Sequence, residues 1–342
     1  MMRPLNERER AVLTAVIEEY TESAEPVGSR TLSRKYFSDL SPATIRNTMY
    51  DLEELGLLAQ PHTSAGREPT AAGYRLYLNT LMKPPRITTF DRRELDQLLE
   101  EERATRDEDT VLLHVAQALA NISHLISLAF FPSFDDAVLE KIDLLPISEN
   151  RVLAILQVRS GTVDTVTITL PEPVRPESIS ETARALNERL SGETIGRIRR
   201  TIGERLRGLS YGDQAVINVF LNEGDGIFDL DARAAVVLEG RPHILNQPEF
   251  TDRTRLSDLM RVLEDRPLIR ELRRSDSPSQ VQVSVGEENN IEALATCSLI
   301  TRGYHVGNLS GTLAIVGPMR MSYPRLLAVL EHAGVVTERL LS

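Results

Sequence analysis

Arg46 and Asn47 are adjacent in SPATIRNTMYDLEELGLLAQPHTSAGR, the stretch from Ser41 to Arg67. An arginine fork and an asparagine amide are the side chains that make paired hydrogen bonds to the edges of guanine and adenine, respectively. Ser41, Ala43, Thr44 and Tyr50 surround the pair, and His62, Thr63, Ser64 and Arg67 follow it. Ser41 and Thr44 would stand at the positive end of a helix, where phosphate oxygens are held. His62, Thr63, Ser64 and Arg67, on a backbone loosened by Gly66, suit a loop lying on phosphates or in a minor groove. A lone Arg–Asn pair is more often a solvated helix face, so the reading depends on the elements around it.

Those elements follow from spacing. Asn6 and Glu9 have the spacing of a reciprocal helix cap, and Val12, Leu13, Val16, Ile17 and Tyr20 form one apolar stripe, so a first helix is expected over about 6–22. Pro26 and Gly28 end it, and Ser29 is expected to cap a short helix to about Tyr36. Ser41 caps the third helix with Pro42 in its first position, Ile45, Met49, Leu52 and Leu55 face inward, and Gly56 stops it. Ala43, Thr44, Arg46, Asn47 and Tyr50 are left outside. LLAQ and REPT bracket PHTSAG as a short hairpin, and Thr70 caps a helix carrying Tyr74, Tyr77, Leu78 and Leu81. That order describes a winged helix-turn-helix. A helix of about 15 residues is about 22 Å long, and its end fits a major groove about 12 Å wide.

The chain carries a formal net charge of -11, which argues against indiscriminate binding of nucleic acid. The acidity is uneven. Residues 1–83 hold ten basic and eleven acidic side chains, and from Pro26 to Lys83 seven basic residues outnumber five acidic ones. The candidate residues therefore lie in the least acidic part of the chain. The 342-residue length favours more than one domain. The single cysteine, Cys297, excludes an intrachain disulfide framework and suits a reducing cytoplasm. MMRPLNERERAV lacks the apolar core of a signal peptide. The uncharged run from Thr110 to Phe134 is broken by His114, Gln117, Asn121 and His124, and is expected as a buried helix followed by a strand or turn rather than a membrane span.

KPPRITTF reads as a linker, and a long helical stretch is expected from Asp91 to Ser127, interrupted near 105–107. LEKIDLLPI, RVLAILQVR and VDTVTITL read as strands, PESISETARALNERL and GETIGRIRRTIGERL as amphipathic helices. AVINVFL and AAVVLEG are expected as short apolar elements, and TRLSDLMRVLEDRPLIREL as one helix. VQVSVG, CSLITRGYHV and GTLAIVGP return to strands before a closing helix over about 323–340. Strands, a mainly helical excursion and strands again imply one α+β domain with an insertion.

Other constellations are weaker. GLSYG (Gly208–Gly212) matches the string of a hydrolase elbow, but the serine of an elbow follows a strand and precedes a helix. Here an arginine-rich helix precedes Ser210 and an extended run is expected after it, so a glycine-rich turn is favoured over an enzyme built on Ser210. NEGDGIFDLDAR (Asn222–Arg233) resembles a calcium loop, yet Ile227 and Arg233 occupy the positions that need glycine and glutamate. A solvated turn is expected instead of a site built on Asp225 to Asp231. The six histidines form no metal-binding pair. No catalytic residue, metal or cofactor is assigned.

EPVGSRTLS (Glu25–Ser33), ATIRN (Ala43–Asn47), LEELGLL (Leu52–Leu58), QPHTSAGR (Gln60–Arg67), PTAAGYRLY (Pro69–Tyr77) and IVGPMRMSY (Ile315–Tyr323) together resemble the HrcA heat-inducible transcription repressors of bacteria. Thr48 stands where that family usually has an acid, Tyr50 where it has alanine, and Pro42 where serine is common. The resemblance implies a winged-helix DNA-binding domain over 1–83, a linker and the start of a connecting helix over 84–104, and a GAF-like α+β domain over 105–165 and 246–342. An inserted dimerisation domain would occupy 166–245. It further implies a cytoplasmic homodimer that binds the CIRCE inverted-repeat operator on double-stranded DNA and is supported by the GroEL chaperonin. A GAF-like domain that senses a small molecule is the alternative.

Overall fold

A computed structural model describes residues 3–62, 65–101, 107–159, 163–209, 211–229, 236–272, 280–307 and 309–341. Helix α1 (Glu7–Ser23) opens on the expected reciprocal cap: Asn6 Oδ1 accepts from the Glu9 N–H, and Glu9 Oε2 accepts from the Asn6 N–H, both at 2.9 Å. Helix α2 (Ser29–Lys35) begins one residue earlier than expected, at the residue expected to cap it. Gly28 is the N-cap, with no side chain to contribute, and Ser29 is buried inside the helix.

Helix α3 (Pro42–Glu54) keeps the expected start, with Ser41 Oγ accepting from the Thr44 N–H at 3.1 Å. It stops at Gly56, whose φ of +72° is a left-handed conformation that glycine adopts without cost. Strands β1 (Leu58–Ala59) and β2 (Glu68–Pro69) pair antiparallel, Leu58 opposite Pro69. Helix α4 (Ala71–Leu76), capped by Thr70, continues through a wider turn to Leu81.

Helix α5 (Thr89–Glu101) and helix α6 (Glu108–Ser123) follow. The expected run of helix to Ser127 ends early, because His124 turns left-handed (φ 55°) and strand β3 (Ile126–Ser133) enters a sheet. Next come β4 (Leu139–Ser148), β5 (Arg151–Val158) and β6 (Val163–Thr169), then α7 (Pro176–Leu190), α8 (Ile195–Arg205) and α9 (Gln214–Ile227). AVINVFL is thus helical rather than extended. Asp213 caps α9 by accepting from the Ala215 and Val216 N–H groups at 2.9 and 3.3 Å. Asn222–Ile227, expected in a solvated turn, form the end of that helix. Ser210 and Asp231 lie outside the described residues.

Strand β7 (Val236–Glu239), α10 (Arg241–Ile244), α11 (Arg253–Glu264) and α12 (Arg266–Glu271) come next. The last two replace one expected helix. Asp265 breaks it with an extended backbone and accepts from the Leu268 N–H at 3.2 Å, placing Pro267 in a first turn where no N–H is needed. Strands β8 (Gln282–Val285), β9 (Cys297–Val306) and β10 (Leu309–Pro318) precede the closing helix α13 (Tyr323–Leu340).

Two compact units result: Met1–Ala129 with Val237–Tyr304 and Thr312–Leu341, and Phe130–Val236 with His305–Gly311. The expected border between 165 and 166 falls inside β6, which pairs along its length with β5. In the second unit the sheet order is β4-β5-β6, and Ile142, Leu144, Ala154 and Leu156 share a core with Leu186, Ile198 and Phe220. The Asn187 amide on α7 grips the Ile142 backbone of β4, accepting from its N–H at 2.8 Å and donating to its carbonyl at 2.7 Å.

The larger sheet has the order β7-β3-β10-β9-β8. In the first unit α13 packs with α5 and α6, burying Leu95, Val115, Leu119 and Leu330. Arg302 on β9 is buried against α13, donating to the Gly303 carbonyl at 2.8 Å and to Glu338 at 3.2 Å. Among the described residues no helix is long and apolar enough to cross a membrane, and no cluster of His, Cys, Asp and Glu could hold a metal ion.

Candidate nucleic-acid interface

The two faces of α3 separate as its periodicity requires. Ile45, Thr48, Met49 and Leu52 are buried, whereas Ser41, Ala43, Arg46, Asn47 and Tyr50 are exposed and Thr44 is half-buried. Burial against α1 and α2 fixes the helix, so the outer side chains are presented on a rigid rod. Thr48 faces inward, and its hydroxyl donates to the Thr44 carbonyl at 3.2 Å. Ser41 Oγ lies 2.9 Å from Thr44 Oγ1, so these two hydroxyls hold one another at the helix start. Tyr50 is 54% exposed, and its hydrogen bond to Glu54 raises its pKa.

Arg46 lines a groove between α2, α3 and the hairpin, together with Arg30, Gln60, Gly66 and Arg67. Arg30 and Arg46 are both exposed, and neither has an acidic partner among the described residues. Arg30, in the first turn of α2, was not among the expected contacts; its place in the EPVGSR run beside the turn is the signal that could have found it.

Arg67 is placed differently from the other candidates. Its side chain is only 16% exposed, its Nε donates to Glu53 Oε2 at 2.9 Å, and its Nη2 lies 2.8 Å from the same oxygen in an ion pair. Its backbone is also tied, with its N–H reaching the Val27 carbonyl at 2.9 Å and its carbonyl accepting from the Val27 N–H at 2.8 Å. Gly66 is required there: a Cβ would stand 2.3 Å from the Val27 carbonyl oxygen. Gln60 Nε2 donates to the Ala65 carbonyl at 3.0 Å, and His62 is exposed at the tip. Thr63 and Ser64 lie outside the described residues.

The helices and hairpin are held from beneath by residues far along the chain. Arg75 donates to Glu288 Oε1 and to the Val283 carbonyl, each at 2.8 Å. Arg320 donates to the Thr21 carbonyl at 3.0 Å while pairing with Glu249 at 2.7 Å. The Tyr74 and Tyr323 rings lie 5.9 Å apart between centroids. Arg320 and Tyr323 belong to IVGPMRMSY, so that run secures α1 and α4.

A capped helix presenting exposed Arg46 and Asn47 beside a hairpin is the arrangement of a winged helix-turn-helix DNA-binding domain. Residues 4–82 match the family described as winged helix-turn-helix transcription repressor, HrcA DNA-binding, and residues 109–327 match the HrcA protein C terminal domain. The chain belongs to the HrcA family of transcription repressors, and its relatives are named as regulators rather than enzymes. It is 34% identical to the heat-inducible transcription repressor HrcA of Halalkalibacterium halodurans, over 99% of this chain and 98% of that one. The proteins of the same name from Moorella thermoacetica and Chlorobium phaeovibrioides are 36% and 37% identical, each over 96% of this chain and over 95% and 96% of theirs. A crystal structure described as that of a hypothetical protein shares the fold, with a TM-score of 0.57, 23% identity and 99% of both chains covered.

Proposed function

We propose that this chain represses chaperone operons in the cytoplasm as a homodimer, each copy placing α3 in one half of the CIRCE inverted repeat. The observation that carries the reading is the outward face of α3, where Arg46 and Asn47 are exposed, adjacent and without a side-chain partner among the described residues. Arg and Asn in a major groove discriminate guanine and adenine, and two-fold symmetry in the protein matches an inverted repeat in the operator. Ser41, Ala43, Thr44 and Tyr50 flank that contact, and His62, Thr63 and Ser64 in the wing reach the backbone. The 130–236 excursion is the dimerisation domain in this reading, and the sheet with its helices is the GAF-like part. Acidity concentrated outside the first 83 residues keeps the body off the duplex and suppresses non-specific binding.

Support from GroEL would couple repression to protein folding. Unfolded proteins occupy the chaperonin during heat stress, the repressor loses its active fold, and transcription resumes. A mobility-shift titration against CIRCE and scrambled duplexes, with and without chaperonin, tests this directly. The CIRCE duplex should bind at least about 10³-fold tighter at physiological salt, with a larger active fraction when chaperonin is present. Equal affinity for both duplexes across salt concentrations would sink the operator reading.

A further inference from the structure

We infer that Glu53 and Arg67 form a positioning pair that sets the wing against the recognition helix, so that Arg67 acts through Glu53 rather than by touching phosphate. The inference rests on the DNA-binding reading above. Glu53 occupies the last turn of α3, three residues beyond Tyr50 and seven beyond Arg46, so it continues the outward stripe. Arg67 is the residue at which the wing rejoins β2. Its Nε hydrogen bond and its Nη2 ion-pair contact both end on one Glu53 carboxylate oxygen, at 2.9 and 2.8 Å, with side-chain exposures of 16% for Arg67 and 30% for Glu53.

The backbone strengthens the case. The paired Val27–Arg67 hydrogen bonds and the close approach of Gly66 to Val27 fasten the wing's stem to the turn before α2. The ion pair adds a fastening to α3. The wing's stem is thereby tied to both helices of the helix-turn-helix, in the groove that Arg46 lines. A guanidinium spent on this ion pair adds no free cation to the surface, whereas Arg30 and Arg46 in the same groove remain available.

Charge alone and geometry predict opposite signs. Removing the Glu53 carboxylate from a DNA-facing stripe should, by electrostatics alone, tighten binding to every duplex. Loss of a positioning contact should weaken operator binding and leave non-specific binding nearly unchanged.

The test measures fluorescence anisotropy of the full-length chain on CIRCE and scrambled duplexes across a salt series, with Glu53→Gln, Arg67→Met and the double variant, each checked for folding by thermal melt. Operator affinity should fall about tenfold in each single variant and no further in the double one. Scrambled-duplex affinity and the salt slope should hold. Tighter binding of both duplexes by Glu53→Gln, or a parallel loss on both duplexes with a salt slope shallower by about 0.9 in Arg67→Met, would overturn the inference and return Arg67 to the phosphate. A wild-type chain that binds both duplexes alike would overturn the operator reading, and this inference with it. Arg67→Lys is the control for charge: it keeps the cation but not the fork, and should lose operator affinity almost as Arg67→Met does.

Discussion

Arg325 clamps Asp91 through two hydrogen bonds, 2.8 Å from Nε to Oδ2 and 2.7 Å from Nη2 to Oδ1, and so joins α13 to the start of α5. Asp91 is fully buried, and the Arg325 hydrogen bond is the main reason its pKa is lowered. Arg325→Leu leaves a buried carboxylate without its cation and should cost about 2–4 kcal/mol. The pH dependence has a definite sign. A lowered folded pKa contributes stability that is present above the unfolded value and is lost as pH falls through the folded one. The melting-temperature gap between wild type and Asp91→Asn should therefore hold from neutral pH to about 4 and close below it. A gap that widens on acidification would refute the assignment.

Gly334 on α13 and Gly203 on α8 should respond to alanine in opposite ways. A Cβ at Gly334 would stand 1.9 Å from Arg302 Nη1, inside a packed layer, whereas one at Gly203 meets nothing within 4 Å. Gly334→Ala should destabilise by about 2–3 kcal/mol, and Gly203→Ala, at an exposed position of α8, should stabilise by up to about 1 kcal/mol. Urea midpoints for the two variants check both signs. A tolerated Gly334→Ala would show that Arg302 can leave its place cheaply.

Tyr74 offers a stabilising change. Its hydroxyl is buried and has no hydrogen-bond partner among the described residues. Burial also drives its pKa well above the ordinary tyrosine value. Tyr74→Phe removes the unsatisfied oxygen while keeping the ring beside Tyr323, so the melting temperature should rise, in line with a gain of about 1 kcal/mol. A fall would mean that the hydroxyl has a partner in solution.

On the DNA side, Arg46→Ala and Asn47→Ala should each weaken CIRCE binding by about 1–3 kcal/mol for a lost two-bond base contact. The scrambled duplex should be nearly insensitive to Asn47→Ala, which removes no charge. Competition titrations at fixed salt separate the two effects, and unchanged CIRCE affinity in both variants would remove α3 from the recognition role.

Much of the head was legible because its signals are local. Asn6 with Glu9, Ser41 with Pro42, Thr70 and Gly56 each act within four residues of themselves, and each marks an observed boundary. The same logic failed where local signals were ambiguous. AVINVFL suits strand or helix by composition, and the deciding residue was Asp213, just ahead of it. Likewise, the run Ile126–Phe130 follows a helix without an interrupting proline or glycine, and sheet pairing ends that helix at Ser123. Of the candidate site residues within the described part, those on α3 and His62 are placed at the surface as periodicity required, apart from half-buried Thr44. Arg67 turned inward because its partner is fourteen positions away, a separation that no helix or strand period reports.

The bond from Arg320 to the Thr21 carbonyl spans 299 positions. A ribosome adding about 5–20 residues per second therefore exposes α1 and the recognition helix roughly 15–60 s before the anchor beneath them exists. The head of every newly made copy spends that interval without this restraint. A message cut short before Ile315 would yield a DNA-reading head that lacks both the Arg320 anchor and the Tyr323 ring under Tyr74.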